Sequence, residues 1–153
     1  MDGVSGFYVD DIPEVDLLQF KRLCYTIANY SNGKLLALEE PHVSQSFYKA
    51  ELGWEDKSTS IFILLNSSYP FVAFASSVQY FDIKYADDSP FNNVNAFGTR
   101  FRVLTTEVLN QPLIVDERTH TLLNENSLNK IELNHIFHWK PKTVGEVIFN
   151  FWD

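Results

Sequence analysis

Two short apolar runs, separated by a four-residue turn, constrain the fold of this chain more than any other feature of its sequence. The first is S-I-F-I-L-L-N at residues 60–66, and the second is F-V-A-F-A-S-S-V at residues 71–78. Each has the length and the β-branched and aromatic content of a strand, and neither approaches the length of a membrane span. Because the intervening S-S-Y-P is typical of a turn, the pair predicts an antiparallel hairpin.

Further strands are predicted on both sides of this hairpin. K-L-L-A-L-E-E precedes Pro41, and S-Q-S-F-Y-K-A-E-L can pair with it. V-Q-Y-F-D-I-K-Y continues with alternating aromatic residues until A-D-D-S-P interrupts the pattern. F-R-V-L-T-T at 101–106 and P-L-I-V at 112–115 are typical of two more strands. I-E-L-N-H-I-F-H-W fits either the helical or the strand period, and we interpret it as a strand.

A helix is predicted before the strands, over residues 13–30. Pro13 suits the first turn, and Glu14 and Asp16 lie where the helix dipole favours anions. Apolar residues recur on one face at helical spacing, namely Leu17, Phe20, Cys24, Ile27 and Ala28. The sequence Asn32-Gly33 then supplies the stop.

The segment K-T-V-G-E-V-I-F-N-F-W-D has the pattern of a capped amphipathic helix. Thr143 and Glu146 have the spacing of a capping box. An apolar stripe follows at helical spacing, formed by Val144, Val147, Ile148, Phe151 and Trp152. Because so short a helix is marginal alone, we expect it to pack on the sheet as core. The alternative is that Trp152 anchors a partner.

Together these patterns predict an α+β fold with an N-terminal helix, a mainly antiparallel sheet of about five to six strands, and a short C-terminal helix packed on the sheet. The length of 153 residues, with no linker or internal repeat, predicts a single globular domain over 1–153. A composition that is 45% hydrophobic and 15% aromatic argues against extended disorder.

The charge of the chain bears on its partners and its location. Twenty acidic and twelve basic residues give a formal net charge of −8, which repels phosphate backbones and anionic lipids. We therefore expect no nucleic-acid and no membrane partner; a basic protein suits the charge, although solubility alone explains it more simply. The sequence M-D-G-V-S-G-F-Y lacks the basic and apolar regions of a signal peptide, and Cys24 is the single cysteine. Both features predict a cytoplasmic protein.

Common catalytic motifs are absent from the sequence. It contains no G-x-S-x-G, no P-loop and no G-x-G-x-x-G, so we expect no enzyme, no catalytic residues and no cofactor. Cys24 lies on the apolar face of the first helix and is expected to be inert. Glu132, His135 and His138 would share a face on a helix, as half of a di-metal site does. On the predicted strand the two histidines point to opposite faces, so we predict no metal site.

Paired carboxylates near predicted loops suggest a surface for a protein partner. As a collective surface they can imitate the negative field of a nucleic acid, which suits a protein that plugs the basic cleft of a nuclease. Aromatic residues near the same loops can serve as anchors. The predicted partner-binding patch consists of Asp10, Asp11, Trp54, Asp82, Tyr85, Asp87 and Asp88.

A small, acidic, cysteine-poor and aromatic α+β chain without catalytic motifs resembles the bacterial immunity proteins that neutralise polymorphic or contact-dependent-inhibition toxins. The closing run K-T-V-G-E-V-I-F-N-F-W-D is similar to the C-terminal ends of such proteins. The resemblance implies stoichiometric inhibition of a cognate toxin domain, and a basic nuclease fits the charge. We expect a monomer or a weak dimer, because aromatic-rich strands at a sheet edge can pair.

Two other classes of function fit the same sequence. One is a structural or assembly module of a larger bacterial or phage complex, which would self-associate or bind a permanent partner. The other is a small enzyme or anion-binding domain that uses an aromatic-lined pocket. In that case Arg100 and Arg102, which flank Phe101 on one predicted strand, would recognise the anion.

Overall fold

The computed structural model describes residues 4–5, 16–56, 58–87 and 101–152, and it confirms the predicted α+β fold. The first elements are α1 (Leu17–Tyr30), β1 (Lys34–Glu39), β2 (Phe47–Gly53), β3 (Ile61–Asn66), β4 (Phe71–Gln79) and β5 (Asp82–Tyr85). The remaining elements are β6 (Arg102–Val103), α2 (Thr106–Leu109), β7 (Val115–Asp116), β8 (Thr121–Leu122), α3 (Lys130–Trp139) and α4 (Val144–Ile148). None of the helices in these ranges has the length and apolar content needed to cross a bilayer.

Helix α1 begins at Leu17, later than predicted, because Asp16 is its N-cap. The Asp16 carboxylate accepts a hydrogen bond from the Gln19 N–H at 3.2 Å, which satisfies an amide of the first turn. Pro13 and Glu14 lie outside the described residues. The stop is as predicted, since Asn32 has a φ of 60° and the Gly33 N–H donates to the Ala28 carbonyl at 2.7 Å.

The main sheet has six strands, and β1 to β5 lie side by side in chain order. All consecutive pairs among these five are antiparallel, including the predicted pairing of β1 with β2 and of β3 with β4. Strand β6 is the exception, because it pairs with β4 in parallel through Phe71 and Arg102. It is shorter than predicted, since the Thr105 side chain accepts from the Val108 N–H and starts α2.

The segment V-Q-Y-F-D-I-K-Y is a hairpin rather than one continuous strand. Gln79 pairs with Asp82, so Tyr80 and Phe81 form a two-residue loop between β4 and β5. Phe81 has a φ of 58°, which reverses the chain direction without a glycine. We call Tyr80 and Phe81 the hairpin tip.

Alternation along the strands places apolar side chains on both faces of the sheet. On one face, Ile63, Leu65, Val72 and Phe74 pack with the apolar side of α1, where Phe20, Cys24, Ile27 and Ala28 are buried as predicted. On the other face, Phe47, Leu64 and Ala73 pack with the C-terminal segment, mainly with Ile148, Phe149 and Phe151. The sheet is therefore a central layer between α1 and the C-terminal segment.

The interpretation of I-E-L-N-H-I-F-H-W as a strand is wrong, because this segment forms helix α3. Asn129 and Glu132 make a complete capping box: the Asn129 side chain accepts from the Glu132 N–H at 2.8 Å, and Glu132 Oε1 accepts from the Asn129 N–H at 3.2 Å. Lys140 ends the helix in the left-handed conformation, with its N–H donating to the Ile136 carbonyl at 2.8 Å. The predicted strand at 112–115 is also displaced, since β7 begins at Val115 and pairs with β8.

Helix α4 is shorter than the apolar stripe predicted. Thr143 caps it through the Glu146 N–H, but Glu146 Oε2 accepts from the Lys142 N–H at 2.6 Å instead of the N-cap amide. After Ile148 the chain leaves the helix, and the Asn150 carbonyl accepts from the Ser46 N–H at 3.0 Å. Trp152 is 4% exposed, so this segment is core, as expected.

Candidate functional site

The hairpin tip carries two exposed aromatic side chains that are fixed by other rings. Tyr80 is 62% exposed and Phe81 44% exposed, and their ring centroids lie 4.4 Å apart. Phe81 stacks on Trp139 at the end of α3, with centroids 5.6 Å apart and planes at 25°. The ring centroids of Tyr80 and Phe151 lie 5.4 Å apart. The tip therefore presents a preformed aromatic surface instead of a mobile loop.

A small pocket lies between this hairpin and the C-terminal segment, and we call it the hairpin pocket. Its volume is about 80 Å³. The aromatic residues that line it are Phe81, Tyr85, Trp139, Phe149, Phe151 and Trp152. Two carboxylates, Asp82 and Glu146, line the same pocket. The site thus combines aromatic walls with negative charge.

The two carboxylates have unused hydrogen-bonding capacity. Asp82 is exposed, and within the described ranges its carboxylate makes no hydrogen bond or ion pair. Glu146 uses Oε2 to accept from the Lys142 N–H, and Oε1 accepts from none of the residues that the structure describes. A group that brings hydrogen-bond donors and positive charge would complement both.

Tyr85 lies on the inner wall of the pocket as an uncharged hydrogen-bond donor. Its hydroxyl donates to the Gly145 carbonyl at 3.1 Å. Burial raises the pKa of Tyr85, and the neighbouring Glu146 carboxylate raises this pKa further. The hydroxyl therefore keeps its proton at neutral pH and attaches β5 to the start of α4.

Two local free-energy costs coincide at the hairpin pocket. A positive φ at a bulky residue such as Phe81 costs about 1–2 kcal/mol relative to an ordinary conformation. The Trp139 Nε1–H is buried and has no hydrogen-bond partner in the described part of the structure, which costs about 1–3 kcal/mol. Strained backbone and unpaired buried donors concentrate at binding and catalytic sites, so their coincidence marks this pocket as the candidate functional site.

Two residues of the predicted partner-binding patch belong to this pocket, namely Asp82 and Tyr85. Asp87 lies elsewhere and has an internal role, because its carboxylate accepts from the Thr106 N–H at 3.0 Å and from the Thr106 hydroxyl at 2.6 Å. These bonds satisfy the first amide of α2. Asp10, Asp11 and Asp88 lie outside the described residues.

Trp54 is separated from the hairpin pocket. It follows β2, whereas the pocket borders β5 on the far side of β3 and β4. It packs with the core on the α1 side of the sheet. Its Nε1–H donates to the Ser31 carbonyl at 2.9 Å, so the indole is engaged within the protein. The structure therefore does not bring Trp54 together with Asp82 and Tyr85.

Most residues of the site are absent from the predicted partner-binding patch, among them Tyr80, Phe81, Trp139 and Glu146. The aromatic pair followed a strand and continued its alternation, and no Gly, Asn or Asp marked the turn. The predicted strand includes Trp139, whereas in the structure this residue ends helix α3. Glu146 was recognised as a capping residue, and its location in a pocket depends on residues far away in the chain.

The prediction that a strand turns His135 and His138 to opposite faces is wrong, because both lie on helix α3 with Glu132. Glu132 is buried and bonded to Ser5, whereas His138 is exposed. His135 stacks on Trp152, and burial lowers the pKa of His135, with His138 lowering it further. Within the described ranges, no three His, Cys, Asp or Glu side chains form a group that could hold a metal ion.

Two other residues singled out in the sequence carry no site in the structure. Cys24 is buried, and burial raises the pKa of its thiol to about 12, which disfavours the reactive thiolate. Arg102 lies exposed on β6 and does not line the hairpin pocket. Arg100 lies outside the described residues.

No family model, no curated protein and no solved structure matches this chain. A functional assignment therefore rests on the chemistry of its own residues. Among these, the residues of the hairpin pocket combine exposure, charge and local strain.

Proposed function

We propose that this protein is an immunity protein, which binds a cognate toxin domain and neutralises it by stoichiometric protein–protein interaction. The observation that carries the proposal is the hairpin tip, where two aromatic rings are both exposed and fixed in place. Rigid aromatic side chains with a polar rim are what interface hot spots consist of. The tip forms the centre of the interface, and the hairpin pocket lies beside it.

The charge of the chain supports a basic partner. A formal net charge of −8 speeds encounter with a positively charged protein and disfavours acidic competitors. A nuclease has such a positive surface, because its cleft binds phosphates. We therefore propose a basic nuclease domain as the toxin.

At the hairpin pocket itself, the small volume favours a side chain of a protein partner over a small-molecule substrate. Pockets for small ligands measure roughly 300–1,000 Å³. The hairpin pocket measures about 80 Å³, which suits one side chain of a larger partner. The exposed rings beside it add contact area that a small ligand would not cover.

An assembly module is the second candidate, and the ribbon of β7 and β8 favours it. Ile114, Val115 and Leu123 are exposed there, and Leu123 N–H donates to the Ile114 carbonyl at 2.8 Å. In the described part of the chain neither strand of this ribbon pairs with a further strand, and an exposed apolar ribbon of this kind can add strands from a partner. In this case gel filtration of the pure protein would show self-association.

The test of the immunity function is a titration with the neighbouring gene product. The C-terminal domain encoded immediately upstream is purified and titrated with this protein by calorimetry, and its toxicity is assayed with and without the protein. We expect tight one-to-one binding that abolishes toxicity. A harmless neighbour, or one that does not bind, would contradict the proposal for that pairing.

The role of the hairpin tip is tested in the same assay with Tyr80→Ala. Loss of a hot-spot ring should weaken binding by about 2 kcal/mol or more, which is roughly 30-fold. Tyr25→Ala is the matched control, because Tyr25 is 55% exposed on the opposite layer of the molecule. Equal effects of the two substitutions would show that the interface lies elsewhere.

A further inference from the structure

We propose that the hairpin pocket receives the guanidinium group of a single arginine side chain from the partner protein. This inference rests on the proposed function and specifies the chemistry of the partner at the same site. It follows from the volume of the pocket, its aromatic walls and its two carboxylates.

The volume restricts the occupant to the end of one side chain. A cavity of about 80 Å³ has room for roughly six water-sized positions. A planar guanidinium with its last methylene groups has this size, whereas a nucleotide or a sugar does not. The partner therefore enters with a side chain and leaves its backbone outside.

The aromatic walls favour a cation that is flat. Phe81 lines the pocket and is 44% exposed, so part of its ring is accessible to an incoming group. A guanidinium stacks on aromatic faces and is more weakly hydrated than an ammonium. It therefore loses less hydration free energy on entering the pocket. Lysine carries a compact and strongly hydrated charge, which suits flat aromatic walls less well.

The carboxylates supply the acceptors that a guanidinium requires. Arginine has five N–H donors in a fixed fork and accepts no hydrogen bond. Asp82 is without a partner among the described residues, and Glu146 Oε1 is likewise available. Since Asp82 and Glu146 line the pocket, an anionic occupant would be repelled, whereas a cationic one gains charge-assisted hydrogen bonds that a neutral one does not.

The experiment uses a blocked arginine, N-acetyl-arginine N-methylamide, as the probe. It is titrated into the ¹⁵N-labelled full chain, and the indole N–H resonance of Trp139, assigned with Trp139→Phe, is followed by NMR. We expect a saturable shift in the millimolar range. Blocked citrulline, which has the same shape without the charge, should bind at least fivefold more weakly.

Two further comparisons make the outcome specific. Asp82→Asn should weaken the binding of blocked arginine at least fivefold. Asp56→Asn, at an exposed acidic residue outside the pocket, should leave this binding unchanged. Blocked lysine should bind more weakly than blocked arginine. Equal binding of arginine and lysine, or no shift of Trp139 with saturating arginine, would overturn the assignment.

The failure of this inference is distinguishable from failure of the proposed function. If blocked arginine binds at Trp139 but no toxin domain binds, the arginine site stands and the immunity function is wrong. If the toxin domain binds with an affinity that Asp82→Asn does not change, and blocked arginine does not bind, the immunity function stands and the arginine site is wrong.

Discussion

Glu132 on α3 has a fully buried carboxyl group, and both of its oxygens accept hydrogen bonds. One oxygen accepts from the Ser5 N–H at 2.8 Å and from the Ser5 hydroxyl at 2.6 Å. The other oxygen accepts from the Asn129 N–H at 3.2 Å. A buried charge is tolerated when its acceptor positions are occupied in this way. The same side chain thus caps a helix and binds a segment 127 positions earlier in the chain.

Two asparagines complete the attachment of residues 4–5. Asn66 Nδ2 donates to the Val4 carbonyl at 2.6 Å and to the Ile148 carbonyl at 2.7 Å. Asn150 Nδ2 donates to the Ser5 carbonyl at 2.7 Å. The backbone groups of this dipeptide are therefore bound by side chains, which makes its position sensitive to single substitutions.

Glu132→Ala is expected to lower the free energy of unfolding by about 2–4 kcal/mol, because it leaves the buried Ser5 donors without an acceptor. Urea denaturation followed by circular dichroism measures the change. Glu125→Ala is the control, since Glu125 is exposed, and its effect should stay within about 0.5 kcal/mol. Similar small effects of both substitutions would mean that the contact with Ser5 adds nothing to stability.

At the scale of elements, α4 lies so close to β5 and α2 that position 145 requires glycine. A Cβ atom at Gly145 would lie 2.7 Å from Tyr85 Cε2 and 2.9 Å from the Leu109 carbonyl oxygen. The Leu109 oxygen is backbone and has little freedom to withdraw. Since Tyr85 and Glu146 both line the hairpin pocket, this approach also sets the shape of the candidate site.

Gly145→Ala should therefore destabilise the protein, although alanine is the better helix former by about 1 kcal/mol. The clash costs more than this gain, and we expect a net loss of about 1–3 kcal/mol. Thermal denaturation measures it. Asn134→Ala, on the exposed side of α3, tests propensity without a clash and should give a small gain. A stabilising effect of Gly145→Ala would contradict the close packing.

At the scale of the whole molecule, burial is uneven between the two sheets. Most residues of β3 and the first half of β4 are buried on both faces of the central sheet. No strand residue of β7 or β8 is buried, and these strands form a separate two-stranded ribbon. A ribbon of two strands has little stability of its own.

Amide hydrogen exchange should reproduce this difference. We expect the amides of Leu64 and Ala73 to exchange at the rate of global unfolding, because both residues are buried in the central strands. The hydrogen-bonded amide of Leu123 in the ribbon should exchange about 100-fold faster or more. The exchange rates are measured by NMR at neutral pH. Equal protection of the amides in both sheets would contradict the expected difference.

The elements that could be predicted from the sequence are those with a local signal. The apolar face of α1, the strands β1 to β4 and the burial of the C-terminal segment follow from hydrophobic periodicity, because each pattern records which side of an element leaves water. The class of fold followed from their order. Of the predicted partner-binding patch, Asp82 and Tyr85 share a pocket, whereas Trp54 is on the other side of the sheet.

Features that depend on residues far apart in the chain appear only in the folded protein. The short segment of α3 fits both periods, and its capping box together with the contact between Glu132 and Ser5 selects the helix. The turn at Phe81 has no local signal, and its ring packs on Trp139 instead. The hairpin pocket exists because β5, α3 and α4 meet, and the hydrogen bond from Tyr85 to Gly145 spans 60 positions. A local pattern gives the direction in which a side chain points, but packing determines which distant residue it meets.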